Sequence, residues 1–293
     1  MWGVFHAAGV ACEGELVEKP ELTAAEKRAV ELISKGMESP SFQPPILPAV
    51  AHEALLISKN PDLDLRQVAS IIEKDSSLAA RFLSVANSAL YRRGGPATSV
   101  KSALTRMGLV AARDLLIYAA LEKVFVIAKP LLPTVRALGH HSLAVSSGAG
   151  YLAQYKRIDI EDASLAGLVH DLGASAVLKY ISDRTSVFKD LLSNAKALCN
   201  VLWELHSVAG AKLAERWELP PPVRKVIAEH HDEELTDPLV VLIAAADELA
   251  LLCKKGVEFD RPQEGALARF LDGADPDVVT DAFMMRLVDV EAL

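Results

Sequence analysis

Along most of this chain the apolar residues return every three or four positions and almost never alternate with period two, a spacing that helices bury and strands do not. The residues between these stretches are helix starts and stops. Thr23 with Glu26 three residues on has the form of a capping box, and predicts a helix over 23–35 with Gly36 as its stop. Pro40, Pro44, Pro45 and Pro48 then predict an extended linker. Beyond it the pattern predicts helices over 49–58, closed by Asn60-Pro61, over 65–74 behind Asp64, and over 76–90 behind Asp75. Further helices are expected over 99–107, 110–127 and, past Pro130 and Pro133, 134–154. The apolar run 239–246 is assigned to helix by its Ala and Leu content. The fold class is therefore all-α, a two-lobed helical bundle. Residues 1–43 form an arm, a helix and the Pro-rich linker, 44–250 the main domain, and 251–293 a helical extension. The main domain divides at Pro130 and Pro133 into 44–130 and 131–250.

A chain of 293 residues that is 51% hydrophobic and 24% charged can bury a sizeable core, which excludes a disordered or disulfide-scaffold protein. Its net charge of -8 opposes a phosphate backbone, so nucleic acid is not an expected partner. Cys12, Cys199 and Cys253 stand far apart with no short metal or redox spacing, as suits a reducing compartment. No apolar run approaches the roughly 18 residues of a membrane span. Glu13, Glu15 and Glu18 occupy the region where a signal peptide would be apolar. No membrane partner and a cytoplasmic location are expected; the oligomeric state is left open.

Six of the eight histidines fall between 140 and 231: His140, His141, His170, His206, His230 and His231. Asp171 follows His170 at the end of an apolar stretch, and Asp247 interrupts another, 242–249. A carboxylate on an apolar helix face is costly to bury unless it meets a cation or strong donors. Taken singly, a helical histidine is usually half-buried or exposed. His230-His231 ahead of Asp232-Glu233-Glu234 also reads as a solvated helix end, and Asp247 beside Glu248 as an exposed pair. Taken together they lie on separate helices that a bundle can bring to one point, and imidazole with carboxylate is the donor set of Zn, Fe, Mn or Ni.

The ordered series His141, His170-Asp171, His206, His230-His231 and Asp247 resembles the HD superfamily of metal-dependent phosphohydrolases, with Gly167-Leu-Val-His-Asp-Leu-Gly173 similar to its central signature. Upstream, Ile46-Leu-Pro-Ala-Val50, the segment 64–75, Ser84-Val-Ala-Asn-Ser-Ala-Leu-Tyr91 and Ser99-Val-Lys-Ser-Ala-Leu-Thr-Arg-Met-Gly108 resemble the HDOD family, the HD-related output domain of bacterial signalling proteins, as does the segment 206–220. The resemblance runs from about 45 to about 250. It implies an HD-like lobe over 131–250 and a regulatory role, usually without a demonstrated activity. It also implies one or two divalent ions, Fe, Mn, Zn or Ni. His141, His170, Asp171 and Asp247 would hold one, and His206, His230 and His231 a second, with Asp171 bridging. The segment before Pro45 is too short for a receiver domain, so a signal would come through a separate protein partner or a bound ligand such as a nucleotide.

The departures point the same way. Ala174 stands where the catalytic relatives carry a lysine that meets a phosphate oxygen, and no Gly-Tyr-Pro follows His231. A non-catalytic regulatory protein is the first expectation. A metal-dependent phosphohydrolase acting on a nucleotide or cyclic dinucleotide, dependent on Asp171, is the alternative. Asn87 reads either as a helix-end cap or as a residue that orders the junction through backbone bonds. Arg81, Arg92 and Arg93 form a basic cluster that reads as a solvated helix end or, less simply, as a seat for an acidic partner or a phosphate.

Overall fold

The computed structural model describes residues 21–39, 42, 44–57, 65–88, 91, 94–125, 127–257 and 262–287. The expected arm over 1–20, the Asn60-Pro61 stop, the Asp64 cap and the basic residues Arg92 and Arg93 lie outside them. Every regular element among the described residues is a helix or a 3₁₀ turn, and no helix there is long and apolar enough to cross a membrane.

The caps form where short polar side chains precede apolar runs. Thr23 Oγ1 accepts from Glu26 N at 3.2 Å while the Glu26 carboxylate accepts from Thr23 N at 2.6 Å. This closes the capping box of α1 (Ala24–Glu38). Gly36 does not end that helix, which runs on to Glu38. The glycine is instead a point of close approach: a Cβ there would stand 1.7 Å from the Tyr180 hydroxyl.

Next come α2 (Ala49–Ile57), α3 (Leu65–Glu73), α4 (Ser76–Ala86), α5 (Val100–Met107) and α6 (Leu109–Val124). Asp75 caps α4 by accepting from Ser77 N and Leu78 N, a contribution of about 1 kcal/mol. The helix stops at Ala86 rather than at 90, because Asn87 caps it and turns its side chain onto Ala97. There Asn87 Oδ1 accepts from Ala97 N at 2.6 Å and Nδ2 donates to Ala97 O at 3.0 Å. Both readings of Asn87 hold. Arg81 is not part of an open basic seat: it pairs with Glu122 and lies over the Tyr118 ring, 4.8 Å from its centroid. In this group α2 packs on α6, and α3 and α4 pack on α5.

A 3₁₀ turn, Lys129–Leu131, holds Pro130, and Pro133 sits in the first turn of α7 (Leu132–Lys156), where a missing N–H costs nothing. The rest comprises α8 (Ile160–Val169), α9 (Leu172–Ser182), short α10 (Lys189–Leu192), α11 (Ala195–Arg216), α12 (Pro221–Glu229), α13 (Pro238–Leu252), α14 (Ala266–Leu271) and α15 (Pro276–Leu287). Helix α7 packs along α8 and α13, α9 lies on α11, and α12 closes against α8, α11 and α13. One continuous apolar core joins both groups through residues such as Phe82, Leu116, Leu152, Leu202 and Ile243. The run 239–246 lies inside α13 as expected.

Candidate metal centre

Six helices meet at a point in the core. His141 comes from the middle of α7, Asp247 from α13 and His206 from α11, while His230 ends α12 with His231 beyond it. His170 caps the C-terminus of α8 and Asp171 starts α9. That break is essential, because consecutive residues in an unbroken helix point about 100° apart. At Asp171 the backbone leaves helical values, φ -96° and ψ 18°, and both side chains reach the same cluster. Gly173 sets how closely α9 meets α11: a Cβ there would lie 1.8 Å from the His206 carbonyl oxygen. Only glycine lets the first turn of α9 come this near the His206 backbone.

Two adjoining sets of donors result. His141, His170 and Asp247 form one, and Asp171, His206, His230 and His231 the other, with one donor atom of each residue within 4.8 Å of the rest of its set. Asp171 stands between them. Its Oδ2 faces His170 Nε2 at 3.5 Å and His141 Nε2 at 3.8 Å, and its Oδ1 faces His206 and His230 Nε2, each at 3.6 Å. His141 Nε2 also lies 3.3 Å from Asp247 Oδ1 and 3.3 Å from His170 Nε2. His231 is half-buried, packed on Trp203 with ring centroids 4.3 Å apart and on His206 at 5.0 Å. His140 is half-buried, whereas His141 is 1% exposed.

The far side of each ring decides its chemistry. Nδ1 of His170 meets Gly167 O at 2.8 Å, His206 meets Trp203 O at 2.8 Å, His230 meets Val226 O at 2.9 Å and His141 meets Lys255 O at 2.9 Å. A carbonyl only accepts, so each Nδ1 carries the proton and donates it, which leaves Nε2 as the lone-pair nitrogen turned inward. Two such nitrogens 3.3 Å apart cannot donate to each other. Ser207 Oγ approaches His206 Nε2 at 3.2 Å.

This geometry fits a metal ion better than a hydrogen-bonded core. Both oxygens of Asp171 and Nε2 of His230 are buried with no hydrogen-bond partner among the described residues. Donors bound about 2.1 Å from one ion stand roughly 3.0–3.4 Å apart, close to the separations seen, whereas 3.5–3.8 Å is too long for a hydrogen bond. Burial works to raise the Asp171 pKa. Were the rings to take up a second proton, the field of His170, the contact with His230 and the fields of His206 and His141 would outweigh it and hold the carboxyl well below the usual range. The donor set, imidazole with carboxylate, is that of a first-row transition metal. The Lys255 carbonyl and Trp203, which orient His141 and His231, were not legible as part of this centre. A backbone carbonyl leaves no mark in a sequence, and Trp203 shows only the i, i+3 spacing to His206.

Fold and donor set together define an all-helical protein with a shared histidine–aspartate centre. The chain matches the HDOD domain over residues 45–233 and belongs to that family. It is 27% identical over 216 residues to an uncharacterized protein of Treponema pallidum, covering 69% of this chain and 41% of that one. It is 33% identical over 111 residues to Ribonuclease Y of Geobacter metallireducens, covering 38% of this chain and 17% of the enzyme. The chain thus spans less than half the length of either relative. A candidate metal-dependent phosphohydrolase from Shewanella amazonensis has a crystal structure that superposes with a TM-score of 0.70 at 26% identity, over 92% of this chain and 99% of that one.

Proposed function

We propose that this is a regulatory HDOD protein whose buried centre holds one or two divalent ions and which acts by binding a signalling protein or a small ligand, not by cleaving phosphate esters. In this reading 44–130 and 131–250 are its two lobes, and His141, His170, Asp171, His206, His230, His231 and Asp247 hold the metal. A bound ion of this kind would supply Lewis acidity to an oxygen ligand. The chain's own residues fix the rings through their Nδ1 bonds and keep Asp171 ionised between the two sets.

The observation that carries the reading is closure. His141, His170, Asp171, His206, His230 and Asp247 are each at most 2% exposed. The cleft that reaches Asp171 holds about 50 Å³, against roughly 300–1,000 Å³ for sites that take small molecules. That is room for a water or two, not for a nucleotide. Ala174 adds a buried methyl group where a phosphate would want a cation. The net charge of -8 opposes RNA, so the similarity to a ribonuclease is read as shared ancestry of the centre.

The alternative, a metal-dependent phosphohydrolase acting on a nucleotide or cyclic dinucleotide, is favoured by the position of Asp171 between two donor sets, the arrangement of a two-ion site. Elemental analysis of protein purified without chelator, followed by assays with nucleotide and cyclic dinucleotide panels, separates the two. The expected result is bound metal and no turnover. Turnover that Asp171→Ala abolishes would establish the alternative.

A further inference from the structure

Ser207 follows His206 in the middle of α11 and is half-buried. A serine inside a helix ordinarily gives its hydroxyl to the carbonyl one turn back or to water. Here that carbonyl, Trp203 O, already accepts from His206 Nδ1 at 2.8 Å. The serine hydroxyl is turned instead to the other side of the same ring, 3.2 Å from His206 Nε2. Because Nδ1 carries the ring proton, Nε2 can only accept, so Ser207 is the donor.

We infer that the Ser207 hydroxyl competes with a divalent ion for the His206 lone pair, and so sets how tightly the donor set of Asp171, His206, His230 and His231 holds that ion.

An imidazole nitrogen without a proton has one lone pair in the plane of its ring, which serves a hydrogen-bond donor or a metal ion but not both. To ligate through Nε2, His206 must first give up the Ser207 bond. His230, in the same set, shows the contrast. Its Nδ1 is held in the same way, to Val226 O at 2.9 Å, but its Nε2 meets no hydrogen-bond partner among the described residues. Two rings that would share one ion therefore differ in readiness by one hydroxyl. The net contribution of a single neutral hydrogen bond corresponds to a factor of about two to ten in an equilibrium constant.

An un-ionised hydroxyl is not among the donors that first-row ions ordinarily take from a protein, which are thiolate, imidazole and carboxylate. Ser207 thus acts on the ion through His206, as a positioning residue and not as a ligand. The inference rests on the metal reading proposed above and adds a control on its affinity. The ion concentration at which this set fills is raised by the same factor.

The test uses the full chain, stripped of metal and titrated with Co²⁺ by isothermal calorimetry. Ser207→Ala should tighten one binding step about two- to tenfold and leave any other step unchanged. Ser207→Thr, which keeps a hydroxyl, should bind as the wild-type chain does. A second readout needs no ion: in proton–nitrogen correlation spectra of the stripped chain, Ser207→Ala should move the His206 Nε2 resonance and leave that of His230 in place. Affinity unchanged or weakened in Ser207→Ala overturns the inference, as does equal tightening in Ser207→Thr or a His206 resonance that does not move. Co²⁺ bound without any response to Ser207→Ala overturns this inference alone. A wild-type chain that takes up no Co²⁺ overturns the metal reading and the competition with it.

Discussion

Two carboxylates are buried in this chain in opposite ways. Asp114 is 5% exposed and fully provided for: it accepts from Arg113 at 2.7–2.8 Å and from Ser146 at 2.8 Å, and Arg113 donates onward to Glu161 O at 3.0 Å. Asp171 is 1% exposed and faces four imidazoles at 3.5–3.8 Å with no hydrogen bond to either oxygen among the described residues. The first is a closed structural pair. The second is a carboxylate whose neighbouring rings turn their lone pairs to it, as the proposed ions would require. Burial and charge are the same in both; only the second layer differs. Around Asp114 the donors point at the carboxylate. Around Asp171 the ring protons point away, to backbone carbonyls.

The largest expected effect separates the two by metal content. Asp171→Ala should lose bound metal almost completely, whereas Asp114→Ala should keep it, as measured by elemental analysis; metal lost from both variants would erase the distinction. Stability should divide the other way. Asp114→Ala leaves Arg113 buried and unpaired, and denaturant unfolding should show a loss of about 3–5 kcal/mol. Replacing both Arg113 and Asp114 by apolar residues should recover much of that loss.

Chelation comes next. Removing an ion present at about 100 times its dissociation constant costs about 2.7 kcal/mol by mass action. The melting temperature of the wild-type chain should fall accordingly, while that of Asp171→Ala should not move. The smallest effect is a pH difference at Glu26, another buried carboxylate. Burial raises its pKa, but bonds from Thr23 and Asn200 and the field of Lys196 outweigh this and lower it below 4.5. A carboxylate with a lowered folded pKa stabilises most above its unfolded value and loses that contribution as the pH falls through the folded one. Glu26→Gln should therefore be less stable than wild type at pH 7, and the gap should close on acidification below about pH 4. A gap that widens there would count against a Glu26 carboxylate stabilised by Thr23 and Asn200.

The helices and their starts were legible because caps are local: Thr23 with Glu26, and Asp75 before its apolar run, act within three residues. Helix ends were less so. Gly36 looks like a stop, but a contact with Tyr180, far along the chain, sets its role. The order of the histidines and aspartates marked the residues that meet. Arg113-Asp114 passed unnoticed, since adjacent opposite charges on a helix usually face water. Arg81 read as a solvated helix end or, less simply, as part of a basic seat, because its partner Glu122 stands 41 positions away. Pairings made only by the tertiary fold leave no spacing to read.

The central claim is that Asp171 is shared by ions that the chain holds in its core. Anomalous X-ray diffraction from crystals of protein never exposed to chelator tests it most directly. The expected result is a peak, or two peaks about 3.5–4 Å apart, within about 2.3 Å of an Asp171 oxygen and of the inward nitrogens of His170 or His230. Ordered side chains with hydrogen bonds closing the gap and no anomalous scatterer at Asp171 would contradict it.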